Sequence, residues 1–249
     1  MKVTIITVAY NSAGTIADTL ASVAAQSYAE IEHIVIDGSS TDATLDIVRR
    51  HAHVAHCVSE PDKGIYDAMN KGIALATGDL VGFLNADDVL NGADAIDKLV
   101  HAAKGGCDLV YADLVYVRQD ELERIVRHWR SGPFSLSRLR FGWMPPHPTF
   151  YVRHTLLDKV GNFDTSLRIA ADYDFMLRCL RLPSVKAIYL PRVLVRMRAG
   201  GVSNSSIRTM VRKSREDLRT LRRHRIGGLL TLAAKNLRKL PQFFRSGSG

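Results

Sequence analysis

At 249 residues, with 46% hydrophobic and 24% charged residues, the chain is long enough to bury a full core and has the composition of a folded globular protein, which excludes bulk disorder. The formal net charge of +9 is concentrated at one end: from Arg208 to Arg245 there are twelve Lys or Arg against Glu216 and Asp217, so the rest of the chain sums to −1. Three widely spaced cysteines, Cys57, Cys107 and Cys179, fit no metal-ligand spacing and read as small hydrophobes in a reduced compartment, while the opening MKVTIITVAYN is too short an apolar run for a signal peptide and predicts a cytoplasmic protein.

In chain order, Val3 to Val8 is a β-branched run that predicts a strand, followed by the loop Ala9 to Ser12 and a helical spacing of apolar residues from Thr15 to Gln26. Ile31 to Ile36 is a second strand, ending in the hydroxyl-rich turn DGSSTD, with a helix from Thr44 to Arg50. Val54 to Val58 is a third strand and Ile65 to Ala76 a helix closing at Thr77 and Gly78. Leu80 to Leu84 is a fourth, stopping abruptly in Asn85, Asp87 and Asp88. This alternation predicts a mainly parallel, Rossmann-like α/β sheet with helices on both faces. No G-x-G-x-x-G and no Walker loop is present, so a ligand is expected to be held by side chains and a metal more than by a glycine cradle.

Past Asp88 the pattern loosens. Ala93 to Ala103 is helical, Leu109 to Val117 strand-like, and Arg118 to Leu139 polar and irregular. WMPPHP, Trp143 to Pro148, is a rigid loop entering a strand at Thr149 to Val152. Ala170 to Leu180 is an amphipathic helix opening with AADYD, Val185 to Leu190 a strand, and Arg196 to Asn204 a glycine-containing loop.

Ligands of open α/β sheets bind at the carboxyl ends of strands. Two adjacent carboxylates there repel unless a cation, a shared proton or a basic partner compensates, and a hard divalent ion favours such oxygen ligands. The competing reading of Asp87 and Asp88 is a cap on the following helix. Tyr10 is either a stacking face for a base or an ordinary turn aromatic. DGSSTD is either a ribose and base seat or a helix cap, and Asp172 and Asp174 are either chemical groups or acids favoured by a helix dipole.

Together, TVAYNS, VIDGSSTDATLDI, SEPDKGIYDAMNKGIALATGDLVGFLNADD, HPTFYVR, KVGNFD and AADYDFMLR resemble glycosyltransferase family 2, in family order across roughly residues 3 to 200. The subgroup it looks most like builds bacterial surface polysaccharides or glycolipids. The resemblance implies a GT-A fold and an inverting, metal-dependent transfer of a sugar from a nucleotide-sugar donor to a glycan or lipid-linked saccharide acceptor. It implies Tyr10 beside the base, Asp37 on the base or ribose, and Asn85, Ala86 and Asp87 in the D-x-D motif. Asp87 would be the principal ligand of Mn²⁺ or Mg²⁺, Asp88 would lie close to the sugar or metal, and Asp172 would be the general base. Two positions depart from the commonest family pattern: Asn85 is neutral, and Ala171 stands where a Glu usually precedes the base. His147 is either an acceptor or phosphate contact or a packed loop histidine. Arg153, Arg196 and Arg198 are candidate diphosphate contacts. Lys63, Asn70 and Lys71 fall in a family-like stretch without an assigned role.

The expected organisation is a catalytic domain over 1–204, with its nucleotide-sugar part over 1–90 and its acceptor side over 91–204, and a basic helical tail over 205–249. Ile207 to Arg225 reads as helix. Leu229, Leu230, Ala233, Leu237, Leu240 and Phe244 recur at helical steps among basic residues, the pattern of an interfacial helix on anionic lipid, which would make the protein peripheral on the inner membrane face. A helix docked on the domain and a dimer contact are the alternatives. Three competing functions remain: a nucleotidyltransferase, disfavoured because AYNSAG lacks a glycine- and lysine-bearing phosphate loop; a nucleic-acid arm, which leaves the acidic clusters unexplained; and a silent transferase-like binding module, suggested by Asn85.

Overall fold

The computed structural model describes residues 1–200 and 207–237. Its first half follows the expected alternation: β1 (Val3–Ala9), α1 (Ile16–Ala24), β2 (Ile31–Asp37), α2 (Thr44–Arg49), β3 (Val54–Ser59), α3 (Ile65–Leu75) and β4 (Leu80–Phe83). β1 is buried at every position, which is why it reads as a continuous apolar run and not as an alternating one. α1 buries Ile16, Thr19, Leu20 and Val23, one stripe at three- and four-residue steps.

The second half holds β5 (Val89–Leu90), α4 (Ala95–Ala103), β6 (Leu109–Val117), β7 (Ile125–Trp129), α5 (Leu136–Arg140), a 3₁₀ turn at His147–Thr149, β8 (Tyr151–Arg153), α6 (His154–Val160), α7 (Ala171–Leu180) and β9 (Ala187–Arg198), then α8 (Ile207–Arg223) and α9 (Leu229–Leu237). Several expectations need correction. β5 separates Asp88 from the next helix, which begins at Ala95, so Asp87 and Asp88 do not cap it. The region from Arg118 to Leu139 contains β7 and α5. β8 starts two residues later than expected because the prolines impose the 3₁₀ turn first. β9 runs to Arg198, so Arg196 and Arg198 are strand residues. Its register against β6 shifts on either side of Asp113, opposite Pro191 and Arg192, and this irregularity accommodates a proline that cannot donate to the ladder.

The described strands form one nine-stranded sheet in the order β3-β2-β1-β4-β8-β6-β9-β5, with β7 added on β6 beyond β8. β3, β2, β1, β4, β6 and β9 run in one direction; β8, β5 and β7 oppose them. The chain winds from β1 through β2 to β3, then returns to place β4 on the other side of β1, so the carboxyl ends of β1 and β4 flank the point where the winding reverses. One face packs Tyr66 and Met69 of α3 with Phe175 and Leu177 of α7 and Leu221 of α8. The other packs α4 through Ile96 and Leu99, and α1 through Ile16 and Leu20.

α8 and α9 dock on this body. Arg223 pairs with Asp164 at 2.7 Å, His224 Nε2 meets Asp174 Oδ1 at 2.7 Å, and Leu221 is fully buried. Leu229, Leu230 and Leu237 of the expected interfacial stripe are exposed, Leu230 at 88%. Leu240 and Phe244 lie outside the described residues. No described helix is long and apolar enough to cross a membrane.

Candidate active site

The turn after β4 is held from both sides. Thr15 Oγ1 donates to the Ala86 carbonyl at 2.9 Å and Thr19 Oγ1 to the Asp88 carbonyl at 2.8 Å, both from α1, while Arg198 Nη1 donates to the Asp87 carbonyl at 2.7 Å from β9. Inside the turn the Asp88 amide donates to the Asn85 carbonyl, and Asn85 Nδ2 to Asp88 Oδ2 at 3.2 Å. The backbone is thereby fixed and the acidic groups are left short of partners. Asn85 Oδ1 and Asp88 Oδ1 are buried with no hydrogen-bond partner among the described residues. Burial raises the Asp87 carboxyl above its ordinary value against the opposing pull of Arg198. Burial and then the Asp87 charge raise Asp88 well above its own. Two orphaned oxygens and two strained carboxyls fit a hard divalent cation. No group of three or more His, Cys, Asp or Glu forms a ready metal cluster among the described residues, since Asn85 makes one of the turn's three donors an amide.

Beside this turn, the loops after β1 and β2 are laced together. Asn11, in the left-handed region at φ 48°, accepts the Thr41 amide on Oδ1 at 2.9 Å, and its own amide donates to Ser40 Oγ at 2.8 Å. Tyr10 is 64% exposed at the mouth of the loop. Asp37 is different from its sequence reading. It is fully buried, and its oxygens accept from the Ser40 amide and hydroxyl and, at 2.6 Å, from Ser59 Oγ. It therefore shapes the loop from beneath. A carboxylate that sequence reasoning missed, Asp62, lies against this loop: a Cβ on Gly38 would lie 2.4 Å from Asp62 Oδ2 and 3.5 Å from the Tyr10 ring. With any larger residue at 38, Asp62 would have to move away.

Asp172 lies in the first turn of α7, where its Oδ1 accepts the Tyr173 amide at 2.7 Å and the Tyr66 hydroxyl at 3.3 Å. That hydroxyl also donates to the Ile169 carbonyl at 2.7 Å, and burial with the nearby Asp172 charge pushes the phenol well above its usual value. Tyr66 thus bonds chiefly to the Ile169 carbonyl and only at longer range to Asp172. Ala171 leaves Asp172 without an acidic neighbour in sequence, but one arrives in space. Glu216 Oε2 of α8 accepts the amides of Ile169 and Ala170 at 2.8 and 3.0 Å and caps α7. Asp174 is buried and bound to Arg178 and His224, which hold its carboxyl below the usual range although burial pushes the other way.

Asp172 lines a cavity of about 760 Å³, and His147 and Arg198 line it too. His147 stacks on Phe83 at 5.2 Å, and burial lowers its pKa, so a neutral ring faces the cavity wall with its Nε2 unpartnered. Because Arg198 also holds the Asp87 carbonyl, this one side chain joins the acidic turn to the wall that carries Asp172.

The three candidate arginines are each engaged by other groups of the fold. Arg153 pairs with Leu80 at the start of β4, the opposite end of that strand, and donates to the carbonyls of Cys107 and Ala103. Arg196 is committed to Asn91, the Leu122 carbonyl and Glu123. Arg198 spends its donors on Asp18, Asp87 and Gln119, which makes it a clamp on the turn. Asn70 exchanges two hydrogen bonds with the Phe163 backbone, and Lys71 ties Glu60 and the Pro61 carbonyl, so both brace the site's surroundings. Lys63 is exposed, its amide donating to Asp67.

The family model described as glycosyl transferase family 2 matches residues 4–170. A PGL/p-HBAD biosynthesis glycosyltransferase of Mycobacterium tuberculosis is 34% identical over 208 residues, 79% of this chain and 77% of that protein. An uncharacterized glycosyltransferase of the same species is 38% identical over 179 residues, covering 71% and 68%. Among solved structures, Staphylococcus aureus TarS 1-349 in complex with UDP-GlcNAc is similar at TM-score 0.67 and 21% identity, covering 99% of this chain and 72% of that one. The mannosyltransferase PcManGT of Pyrobaculum calidifontis, in complex with GDP-Man and Mn²⁺, reaches TM-score 0.69 at 22% identity, covering 98% and 73%.

Proposed function

The chain belongs to glycosyl transferase family 2 and is a glycosyltransferase, and from that premise we propose that it transfers a sugar, with inversion, from a nucleotide-sugar donor to a hydroxyl of a glycan or lipid-linked saccharide in surface-glycan biosynthesis. The observation that carries this reading is the shared cavity: Asp172 and Arg198 both line it, and Arg198 holds the Asp87 turn. The nucleotide-sugars bound by the two structural neighbours support the donor class.

A sugar hydroxyl is a poor nucleophile, so Asp172 takes its proton as the oxygen attacks the anomeric carbon; such help is worth ~10²–10⁴ in rate. The new carbon–oxygen bond forms on the face opposite the one that breaks, and the electron pair of the broken bond leaves on the nucleoside diphosphate. No enzyme nucleophile is needed. Asp87, with Asn85 Oδ1 and Asp88 Oδ1 as further oxygen donors, would hold Mn²⁺ or Mg²⁺, which when bound neutralises charge on the departing diphosphate. Tyr10, beside Gly38 and Asp62, flanks the base. Tyr66 and Glu216 keep Asp172 oriented.

Exposed Leu229, Leu230 and Leu237 beside the arginines of α8 support peripheral contact with an anionic membrane at the cytoplasmic face. The test is calorimetric titration with UDP, GDP and TDP, with and without Mn²⁺, followed by transfer assays with the sugar nucleotides of whichever base binds. One nucleotide is expected to bind in a metal-dependent way, and Asp172→Asn is expected to keep that binding while losing ~10²–10⁴ in turnover. No binding by any nucleotide in the folded protein overturns the reading.

A further inference from the structure

The cavity lined by Asp172 has a further chemistry of its own. Its wall carries six cations, Arg127, Arg130, Arg138, Arg198, Lys213 and Lys235, against two carboxylates, Asp172 and Asp217. Two of the six are already engaged by acids. Arg198 is bound to Asp18, and Lys235 donates to Asp217 at 2.8 Å while its ammonium sits 3.4 Å over the Tyr173 ring. Arg127 lies over the Tyr116 ring at 3.8 Å. Arg130, Arg138 and Lys213 have no ion-pair partner among the described residues; Arg138 gives one donor to the Pro133 carbonyl and lies over the Trp143 ring at 5.7 Å.

Part of the lining is supplied by the C-terminal helices. Met210, Lys213, Ser214 and Asp217 recur at three- and four-residue steps, one face of α8, and all four line the cavity. α9 is seated by close backbone approach: a Cβ on Gly142 would lie 2.4 Å from the Lys235 amide nitrogen, and Gly142 has φ +73°, so position 142 admits glycine on two counts. Trp129 and Trp143, the chain's two tryptophans, line the same cavity.

Excess guanidinium and ammonium groups beside aromatic plates suit an ionised phosphorus oxyanion better than a neutral sugar. We propose that this cavity binds the acceptor through a phosphate or diphosphate group held by Arg130, Arg138 and Lys213, with α8 and α9 as an integral part of the acceptor site. The identification of the ligand as acceptor rests on the transferase reading. The phosphate chemistry rests on the cavity itself. Such a group comes either from a lipid carrier's diphosphate or from a phosphodiester in a polymer.

Because both tryptophans line the cavity, intrinsic fluorescence of the full-length protein reads it directly. The titrants are decyl diphosphate below its micellar concentration, bis(glycerol) phosphate as a soluble phosphodiester, and decyl maltoside as a neutral control, all in EDTA to silence the acidic turn. Saturable change with at least one phosphorus compound and not with the maltoside is expected. The double variant Arg130→Gln/Lys213→Gln, which removes no described ion pair, should weaken that binding at least tenfold, and Arg130→Lys/Lys213→Arg should restore most of it. Stronger response to the decyl compound assigns the lipid carrier, and to bis(glycerol) phosphate the polymer. Equal response to maltoside, no response to either phosphorus compound, or unchanged affinity in the double variant overturns the proposal. Calorimetry with nucleotide and Mn²⁺ on the same preparations separates the two failures: nucleotide binding without phosphate binding rejects this site and leaves the transferase reading standing.

Discussion

Glu32 and Asp88 are both carboxylates buried at an end of the same parallel sheet, 4% and 0% exposed, and they have opposite fates. Glu32, on β2 near the amino ends of its neighbours, accepts from Lys2 Nζ at 2.5 Å, Thr4 Oγ1 at 2.6 Å, and the Thr77 amide and hydroxyl at 2.8 and 2.5 Å. Burial alone would push its pKa up, but those donors bring it down to about 2. Asp88, at the carboxyl end of β4, receives one side-chain donor, Asn85, so burial first and then the charge of Asp87 raise its pKa. Donors are supplied where a carboxylate serves the fold. They are withheld where a ligand is to supply the compensation.

That contrast breaks if the two ends respond alike to losing a charge. Asp87→Asn should cost turnover ~10²–10³, the usual cost of removing one electrostatic stabiliser, with no fall in melting temperature. Glu32→Gln should do the reverse. It leaves kcat unchanged and destabilises by about 2–3 kcal/mol at pH 7, because Lys2 and Thr77 lose a charged acceptor. The sign follows from the depressed pKa: the Glu32 contribution is complete above its unfolded value and is lost as pH falls toward about 2. Turnover assays and thermal melts on both variants check the pair.

The same contrast explains what the sequence could reveal. The first four strands and three helices were legible because β1 and β4 are nearly continuous apolar runs, β2 keeps the apolar stretch Ile34 to Ile36, and their turns carry Gly, Ser, Asn and Asp. The Asp87 turn and Asp172 were legible because their residues are local in the chain. What stayed hidden depends on contacts distant in sequence. β7 is a half-exposed edge strand whose Trp129 ring stacks on Tyr116 of β6, and nothing in Arg118 to Leu139 announces that partner. Glu216 caps α7 from 46 residues downstream of Ala170. Arg198 seemed a loop cation and is a strand residue 6% exposed, clamped between α1 and the acidic turn. Asp62 had one signal, its place in SEPDKG, but its approach to Gly38 needs the fold.

A smaller effect sharpens the comparison at the acidic turn. Raised pKa values on Asp87 and Asp88 mean that protons and a cation compete for the same oxygens. Saturating Mn²⁺ should therefore stabilise the protein by about 1–2 kcal/mol at pH 7.5 and by much less at pH 5, an amount that mass action allows at ten or more times the dissociation constant. In Asp87→Asn the shift should vanish at both values. A melting-temperature gain that is equal at pH 5 and 7.5 would mean that the cation binds elsewhere.

The smallest effect is the most discriminating, because it predicts a gain. Below the unfolded value of an aspartate both states of the protein hold the proton at position 88, and the raised folded pKa has no consequence. As pH rises, the unfolded chain releases that proton first, so metal-free stability falls until pH passes the folded pKa. Asp88→Asn keeps the shape and still offers an oxygen to Asn85 Nδ2, but removes the charge that burial and Asp87 oppose. The variant should be more stable than the native protein by about 1 kcal/mol at pH 7.5 in EDTA, with the gap closing toward pH 4. If the variant is instead less stable at pH 7.5, the attraction of Arg198 already compensates Asp88, and the turn is then an end of the sheet built like the one at Glu32.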